Sequence, residues 1–301
     1  DRTQQKTAVL KNEKPIEVLF EGADTNIYKT TKQFSKSLVD EMNKIEEKFN
    51  FLYVGHWLQG GVGEDRKDTA MLVKVFCETF KNMKQKPALI MKTSGAGYSV
   101  LDRESMLTKI REIRAGVSGD VPNVYLMHGD FMDEEINELY NHPKVKAHVS
   151  LTHGEGFGRP LLEASLSEKP VIAPDWSGHT DFLKKPNAVM LGGSLTDVPK
   201  SAFPEQFFVE GMKWFTVNYQ EASVRMKDVY KNYRKYRLPA KKLTINNKVK
   251  FSLDAMTKQF GKILDKYVPE FAEEVKLELP KLNKVNKVEA PKIKLPKLKK
   301  V

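Results

Sequence analysis

The chain has 301 residues, 40% of them hydrophobic and 10% aromatic, enough for a real core in one large or two ordinary domains. Its formal net charge is +11, but Lys276 to Val301 alone holds nine lysines and two glutamates, so the rest is only mildly basic and charge does not mark it as a nucleic-acid binder. The single cysteine, Cys77, rules out an internal disulfide or structural-zinc framework, and the apolar runs of four to six residues fall far short of the ~20 that a membrane-spanning helix needs.

Along the chain, residues 1–49 hold a short leading segment and a helix marked by Phe34, Leu38, Met42, Ile45 and Phe49. From residue 50 to 200 short apolar runs alternate with amphipathic segments, the pattern of a parallel sheet covered by helices. The runs are Phe51–Val54, Ala88–Lys92, Val124–His128, Ala147–Leu151, Pro170–Ala173 and Ala188–Leu191. Between them, helical faces are drawn by Leu72, Val73, Phe76 and Phe80, by Met106, Leu107, Ile110 and Ile113, by Ile136, Leu139 and Tyr140, and by Leu161, Leu162 and Leu166. The expected fold class is therefore α/β, a Rossmann-like parallel sheet with helices on both faces. Cys77 falls on one of these apolar faces and reads as a buried thiol. Residues 201–270 are expected to add helices, over Glu205–Arg237 and Phe251–Tyr267. Residues 271–301 alternate Pro, Lys and single aliphatics without aromatics and read as a flexible extension, or else as a tether to nucleic acid or an acidic membrane surface. The first residues carry no signal-peptide pattern, which with one cysteine points to a cytoplasmic setting; a start at Asp1 suggests a fragment or a processed product.

In such a sheet, ligands bind beyond the carboxyl ends of the strands. The most informative stretch there is Thr152-His153-Gly154-Glu155-Gly156-Phe157-Gly158-Arg159-Pro160-Leu161-Leu162-Glu163-Ala164. It combines a strand end, a glycine-rich turn and a helix start with Pro160 in the first turn, an arrangement whose free N–H groups suit a phosphate or diphosphate. The glycine spacing fits neither a dinucleotide fingerprint nor a P-loop. Glu155 and Glu163 are either hydroxyl-binding carboxylates, one for a sugar ring and one for a ribose, or a solvated loop acid and a helix-dipole complement.

This stretch, followed by Lys169-Pro170-Val171-Ile172-Ala173, resembles the E-x7-E signature and next strand of the retaining family 4 glycosyltransferases, the "glycosyl transferases group 1" domain. Leu19-Phe20-Glu21-Gly22-Ala23-Asp24-Thr25 resembles that family's interdomain segment, so the likeness runs from about Val18 to Leu191. The resemblance implies the C-terminal, donor-binding half of a GT-B fold and a transfer of sugar from a nucleoside-diphosphate sugar to an unknown acceptor, with retention. By resemblance Glu155 contacts the hydroxyls of the donor sugar, Glu163 the ribose, and the N–H groups of Gly156, Phe157, Gly158, Arg159 and Leu161 the sugar and diphosphate. The family's diphosphate-neutralising Arg and Lys fall on Arg66 and Lys67, although His56 stands where the Arg often lies. Arg66, Lys67 and Glu155 are thus the expected catalytic residues. Lys92 is expected to reach the same crevice, and Phe131 and Met132 to pack on the base. The loop Trp176-Ser177-Gly178-His179-Thr180-Asp181 resembles one that closes near the donor. No cofactor or obligatory metal is implied. The family's N-terminal acceptor domain has no counterpart before Val18, so the reading requires another part of the protein, or a partner chain, to supply it. Two other readings stay open: a non-catalytic binding protein on a transferase relic, and a viral-type enzyme that glycosylates nucleic acid.

Overall fold

The computed structural model describes residues 11–57, 60–95, 97–203, 205 and 208–269; the expected tail, 271–301, lies outside them. Six strands form one parallel sheet: β1 (Asn50–Val54), β2 (Ala88–Lys92), β3 (Val124–Met127), β4 (Val145–Val149), β5 (Val171–Pro174) and β6 (Val189–Leu191), in the order β3-β2-β1-β4-β5-β6. Each overlaps an expected apolar run, because strands covered by helices are largely apolar; β4 starts two residues before its run and carries Lys146 and His148. Alternate side chains of β1 go to opposite layers. Phe51 and Tyr53 join Phe76, Phe80, Leu89 and Met91, whereas Leu52 joins Ile90, Leu139, Tyr140 and Leu162.

The covering helices are α1 (Lys36–Asn43), α2 (Thr69–Phe80), α3 (Val100–Ala115), α4 (Asp133–Asn141) and α5 (Arg159–Ser165), followed by α6 (Tyr219–Lys231), α7 (Tyr233–Lys250) and α8 (Leu253–Tyr267). Helix α1 is shorter than its apolar spacing suggested: Phe34, Ile45 and Phe49 flank it and pack from outside the helix. The helix expected from Glu205 is also corrected. Lys213–Val217 is a strand, β8, paired antiparallel with β7 (Gly193–Asp197), and helix resumes only at Tyr219. Helix α7 runs on through Pro239, whose missing N–H costs about 3 kcal/mol in a helix interior. Its buried side offsets that: Ala240 and Leu243 pack inward, Thr244 Oγ1 donates to the Ser165 carbonyl at 2.6 Å, and Asn247 Nδ2 donates to Ser165 Oγ at 2.9 Å.

The segment resembling an interdomain stretch is seated at the α7–α8 junction. Ala23 N–H donates to Phe251 O at 2.9 Å and Leu253 N–H to Ala23 O at 2.8 Å. Gly22 lies so close to this junction that a Cβ there would sit 2.5 Å from Ser252 O. Among the described residues no helix is long and apolar enough to cross a membrane.

Strand order reverses direction between β1 and β4, which pair with each other at the centre of the sheet. The crevice beyond their carboxyl ends is the position where an open α/β sheet has room for a ligand. Residues after Val54 and after Val149 meet there.

Candidate functional site

The loop after β1 returns to the sheet at Asp65-Arg66-Lys67-Asp68. Asp65 is fully buried and accepts from Thr69 N–H at 3.1 Å and Lys67 N–H at 3.1 Å, capping α2 with its side chain. Asp68 takes a left-handed conformation, φ 51°, and the helix begins only at Thr69. Arg66 and Lys67 therefore precede the helix instead of lying in its first turn, and two buried carboxylates stand at its amino end. The Arg66 carbonyl accepts from His153 N–H at 2.9 Å and Thr152 Oγ1 at 3.2 Å, which stitches this loop to the one after β4.

The stitching brings three of the expected residues together. Lys67 Nζ lies 2.6 Å from both Glu155 carboxylate oxygens, and Arg66 Nη1 lies 3.6 Å from Glu155 Oε2 while donating to Gly154 O at 2.6 Å. The side chains of Lys67 and Glu155 retain only 14% and 10% exposure. Burial pushes the Lys67 ammonium down from its ordinary range, and Glu155 pulls it back up. Glu155 is itself held in place: its N–H donates to Ser177 Oγ at 2.9 Å, and its carbonyl accepts from Gly178 N–H at 3.1 Å. Gly178 is the residue the close approach requires, since a Cβ there would lie 1.9 Å from Gly156 O. The 176–181 loop thus braces the glycine turn.

Beside this cluster the amides of Gly156, Phe157, Gly158 and Arg159 make no hydrogen bond among the described residues. Leu161 departs from expectation: its N–H donates to Gly158 O at 2.9 Å and its side chain is buried, so that amide is already engaged. Phe157 packs on Phe182, ring centroids 5.1 Å apart, and so stabilises the turn. Helix α5 has only seven residues, which leaves individual N–H groups, more than a summed dipole, to meet an anion.

Glu163 faces elsewhere. It is buried against a cavity of about 330 Å³ lined also by Asp24, Tyr28, Asp133, Arg159 and Met256, which neither Lys67 nor Glu155 lines. Arg159 approaches Glu163 Oε1 to 3.6 Å, and Tyr140 OH donates to Oε2 at 3.4 Å. Burial pushes the Glu163 carboxyl up to about 7, with Arg159 opposing. Lys92 does not extend to the Glu155 crevice as expected. Its Nζ donates to Gly129 O at 2.9 Å and sits 4.6 Å over the Phe131 ring, so it fixes the loop after β3. Phe131 lines a separate cavity of about 410 Å³ with Arg103, His128 and Asp130, while Met132 precedes α4 and is 71% exposed.

Neither a protein-family model nor a curated protein matches this sequence. Solved structures do match the fold. The C-terminal domain of a glycosyl transferase group 1 family protein (LpcC) from Francisella tularensis superposes with a TM-score of 0.52 at 17% identity, covering 77% of this chain and 100% of that one. HepE from Anabaena in complex with UDP-glucose gives 0.56 at 16% identity, with 83% of this chain and 57% of that one covered. Sucrose-phosphate synthase from Thermosynechococcus elongatus gives 0.56 at 15% identity, with 82% and 51% covered. The fold is that of a GT-B C-terminal domain. The chain spans just over half the length of the latter two neighbours.

Within this GT-B domain, one buried network was invisible in the sequence. Tyr219 OH donates to Asp68 Oδ2 at 2.7 Å, and the His153 ring stacks on Trp214 at 3.9 Å and 8° while its Nδ1 donates to Phe215 O at 2.8 Å. That bond leaves His153 Nε2 as a bare lone pair 3.7 Å from Asp68 Oδ1, and both atoms are buried without a partner among the described residues. Burial pushes Asp68 up to about 7 and His153 down, so burial favours the neutral form of each, a carboxyl group facing an uncharged imidazole. The residues come from three separated stretches, around 68, 153 and 214–219, and only His153 lies in the glycine-rich motif. Among the described residues no group of three or more His, Cys, Asp or Glu is gathered as a metal site.

Proposed function

We propose that this chain binds a nucleoside-diphosphate sugar in the β1/β4 crevice and transfers the sugar to an acceptor with retention of anomeric configuration. The observation that carries the reading is the convergence of Lys67 and Arg66 on Glu155 beside four amides that are unengaged among the described residues. Partly buried cations and N–H groups in one place suit an anion with several oxygens, and fixed charges of this kind stabilise a departing diphosphate. The resting pair also defines an exchange. A diphosphate competes with Glu155 for Lys67; once displaced, the Glu155 carboxylate is free to accept hydrogen bonds from the sugar hydroxyls.

In this reading Arg66, Lys67 and the amides of Gly156 to Arg159 hold the diphosphate while the bond from its oxygen to the anomeric carbon breaks, one to the acceptor oxygen forms, and the acceptor's hydroxyl proton passes to the departing diphosphate. Glu163 receives the ribose in its cavity, and Phe131 and Met132 border the base. Protein cations carry the charge without an obligatory metal. The likeness to a HepE structure containing UDP-glucose and the E-x7-E resemblance support the donor class.

Slow hydrolysis tests the reading without knowledge of the acceptor. The chain is incubated with UDP-, GDP- and ADP-glucose, and the first free sugar is followed by NMR. Release of α-glucose from an α-linked donor is the expected result. Initial β-glucose would overturn retention, and turnover equal in Lys67→Met would overturn the site.

A further inference from the structure

A second charged hollow lies at the opposite end of β4 from Glu155. Its opening, about 470 Å³, is lined by Lys32, Lys146, Lys169 and Arg237 with Tyr233 and a single carboxylate, Glu168. Val145 begins β4 and Lys169 shortly precedes β5, so this is the amino-terminal edge of the sheet. None of the four cations forms an ion pair among the described residues. Lys169 is fixed by neutral groups only, donating to Tyr140 O at 2.5 Å and His142 O at 2.8 Å. Lys146 sits 6.0 Å from the Tyr233 ring centroid.

These charges work against one another. Burial and then Arg237 push Lys146 down, burial and then Lys146 push Lys169 well down, and neighbouring His142 falls to about 4 through burial, Lys169, Lys144 and Lys146. Like charges gathered in a half-buried hollow destabilise the free protein, and a bound anion removes that repulsion. Helix α7, which supplies Tyr233 and Arg237, has seven Lys or Arg and no Asp or Glu. Its outer face interrupts the cations with exposed Leu238, Ile245 and Val249, an unsuitable track for a phosphodiester backbone. The recess suits a compact anion better.

We propose that the hollow lined by Lys32, Lys146, Lys169 and Arg237 binds a compact, multiply charged phosphate ligand, at a site distinct from the β1/β4 crevice.

The test is calorimetric titration of the full chain with inorganic tripolyphosphate, repeated on Lys67→Met and on Lys146→Gln/Arg237→Gln. The site predicts saturable binding that survives Lys67→Met and weakens about tenfold for each cation removed, so about a hundredfold in the double variant. Arg237→Lys, which keeps the charge, retains most of the affinity. Urea unfolding of the double variant serves as the control, and stability equal to or above wild type is expected because repulsion is relieved. Absence of binding would overturn the proposal, as would binding lost in Lys67→Met but kept in the double variant. So would binding of oligo-dT or acidic phospholipid vesicles without binding of tripolyphosphate, which would assign the basic surface to an extended polyanion.

Discussion

Replacing Lys67 by methionine removes the charge that neutralises Glu155 and keeps much of the side-chain volume. The pair is direct, 2.6 Å to each carboxylate oxygen, with both side chains mostly buried. Breaking a buried pair from one side costs about 3–5 kcal/mol, because the remaining charge stays desolvated. Arg66, 3.6 Å from Glu155 Oε2, still offers partial compensation, which brings the expected loss below that range, to about 2–3 kcal/mol. Lys67→Met/Glu155→Gln removes both charges and is expected to recover most of that loss, to within about 1 kcal/mol of wild type. Urea unfolding measures all three. Nucleotide affinity must not recover with stability: both variants lack the cation that the diphosphate requires. A single variant as stable as wild type, or a double variant no better than the single, would refute the reasoning that this is a buried pair with a cost on both sides.

Glu163 gives a pH dependence of definite sign. Its carboxyl is raised from 4.5 to about 7 in the folded state, so the native protein takes up the proton first, and stability is lost as pH rises through that window. Glu163→Gln is accordingly expected to exceed wild type by about 2–3 kcal/mol at pH 8, with the gap closing toward pH 4.5, in urea melts across pH. Asp65→Ala removes the cap from α2 and is expected to cost about 1–2 kcal/mol while also weakening nucleotide binding, because the Lys67 loop loses its anchor; melts and titration check the two effects. Gly178→Ala forces the 176–181 loop off the Gly156 carbonyl and is expected to lower stability by about 2 kcal/mol and abolish binding, measured in the same assays. Treatment with EDTA is expected to leave nucleotide affinity unchanged, and a large loss would contradict charge stabilisation by Arg66 and Lys67 alone.

The strands of the parallel sheet were legible because their buried positions make short, largely apolar runs, although β4 carries Lys146 and His148 and began two residues before its expected run. Strands β7 and β8 were not: the residues of β7 are mostly exposed, and Lys213–Val217 is set in place by pairing with a segment some sixteen to twenty-four residues earlier. The expected helical stretch ended at Arg237, whereas α7 continues through Pro239, held by long-range contacts to Ser165. In the site, Glu155 was readable from its place just beyond a strand end, and Arg66 and Lys67 only through the family resemblance; that the β1/β4 pairing brings the three together came from the structure. The division between Glu155 and Glu163 was not, since a one-dimensional spacing of eight says nothing of which cavity each enters. Lys92 misled for a related reason: its place at a strand end allowed a reach toward Glu155, but Gly129 O and the Phe131 ring offer nearer partners. The Asp68–His153–Tyr219 network is the extreme case, formed wholly by contacts between distant segments.

The most direct test of the account is a calorimetric titration of the intact chain with UDP, GDP and ADP, repeated on Lys67→Met and on Glu163→Gln. Saturable binding of one nucleotide, reduced about a hundredfold by Lys67→Met and weakened by Glu163→Gln, is the expected result. A folded wild-type chain that binds none of the three, or a Lys67→Met variant that binds as well as wild type, would contradict a diphosphate site in the β1/β4 crevice.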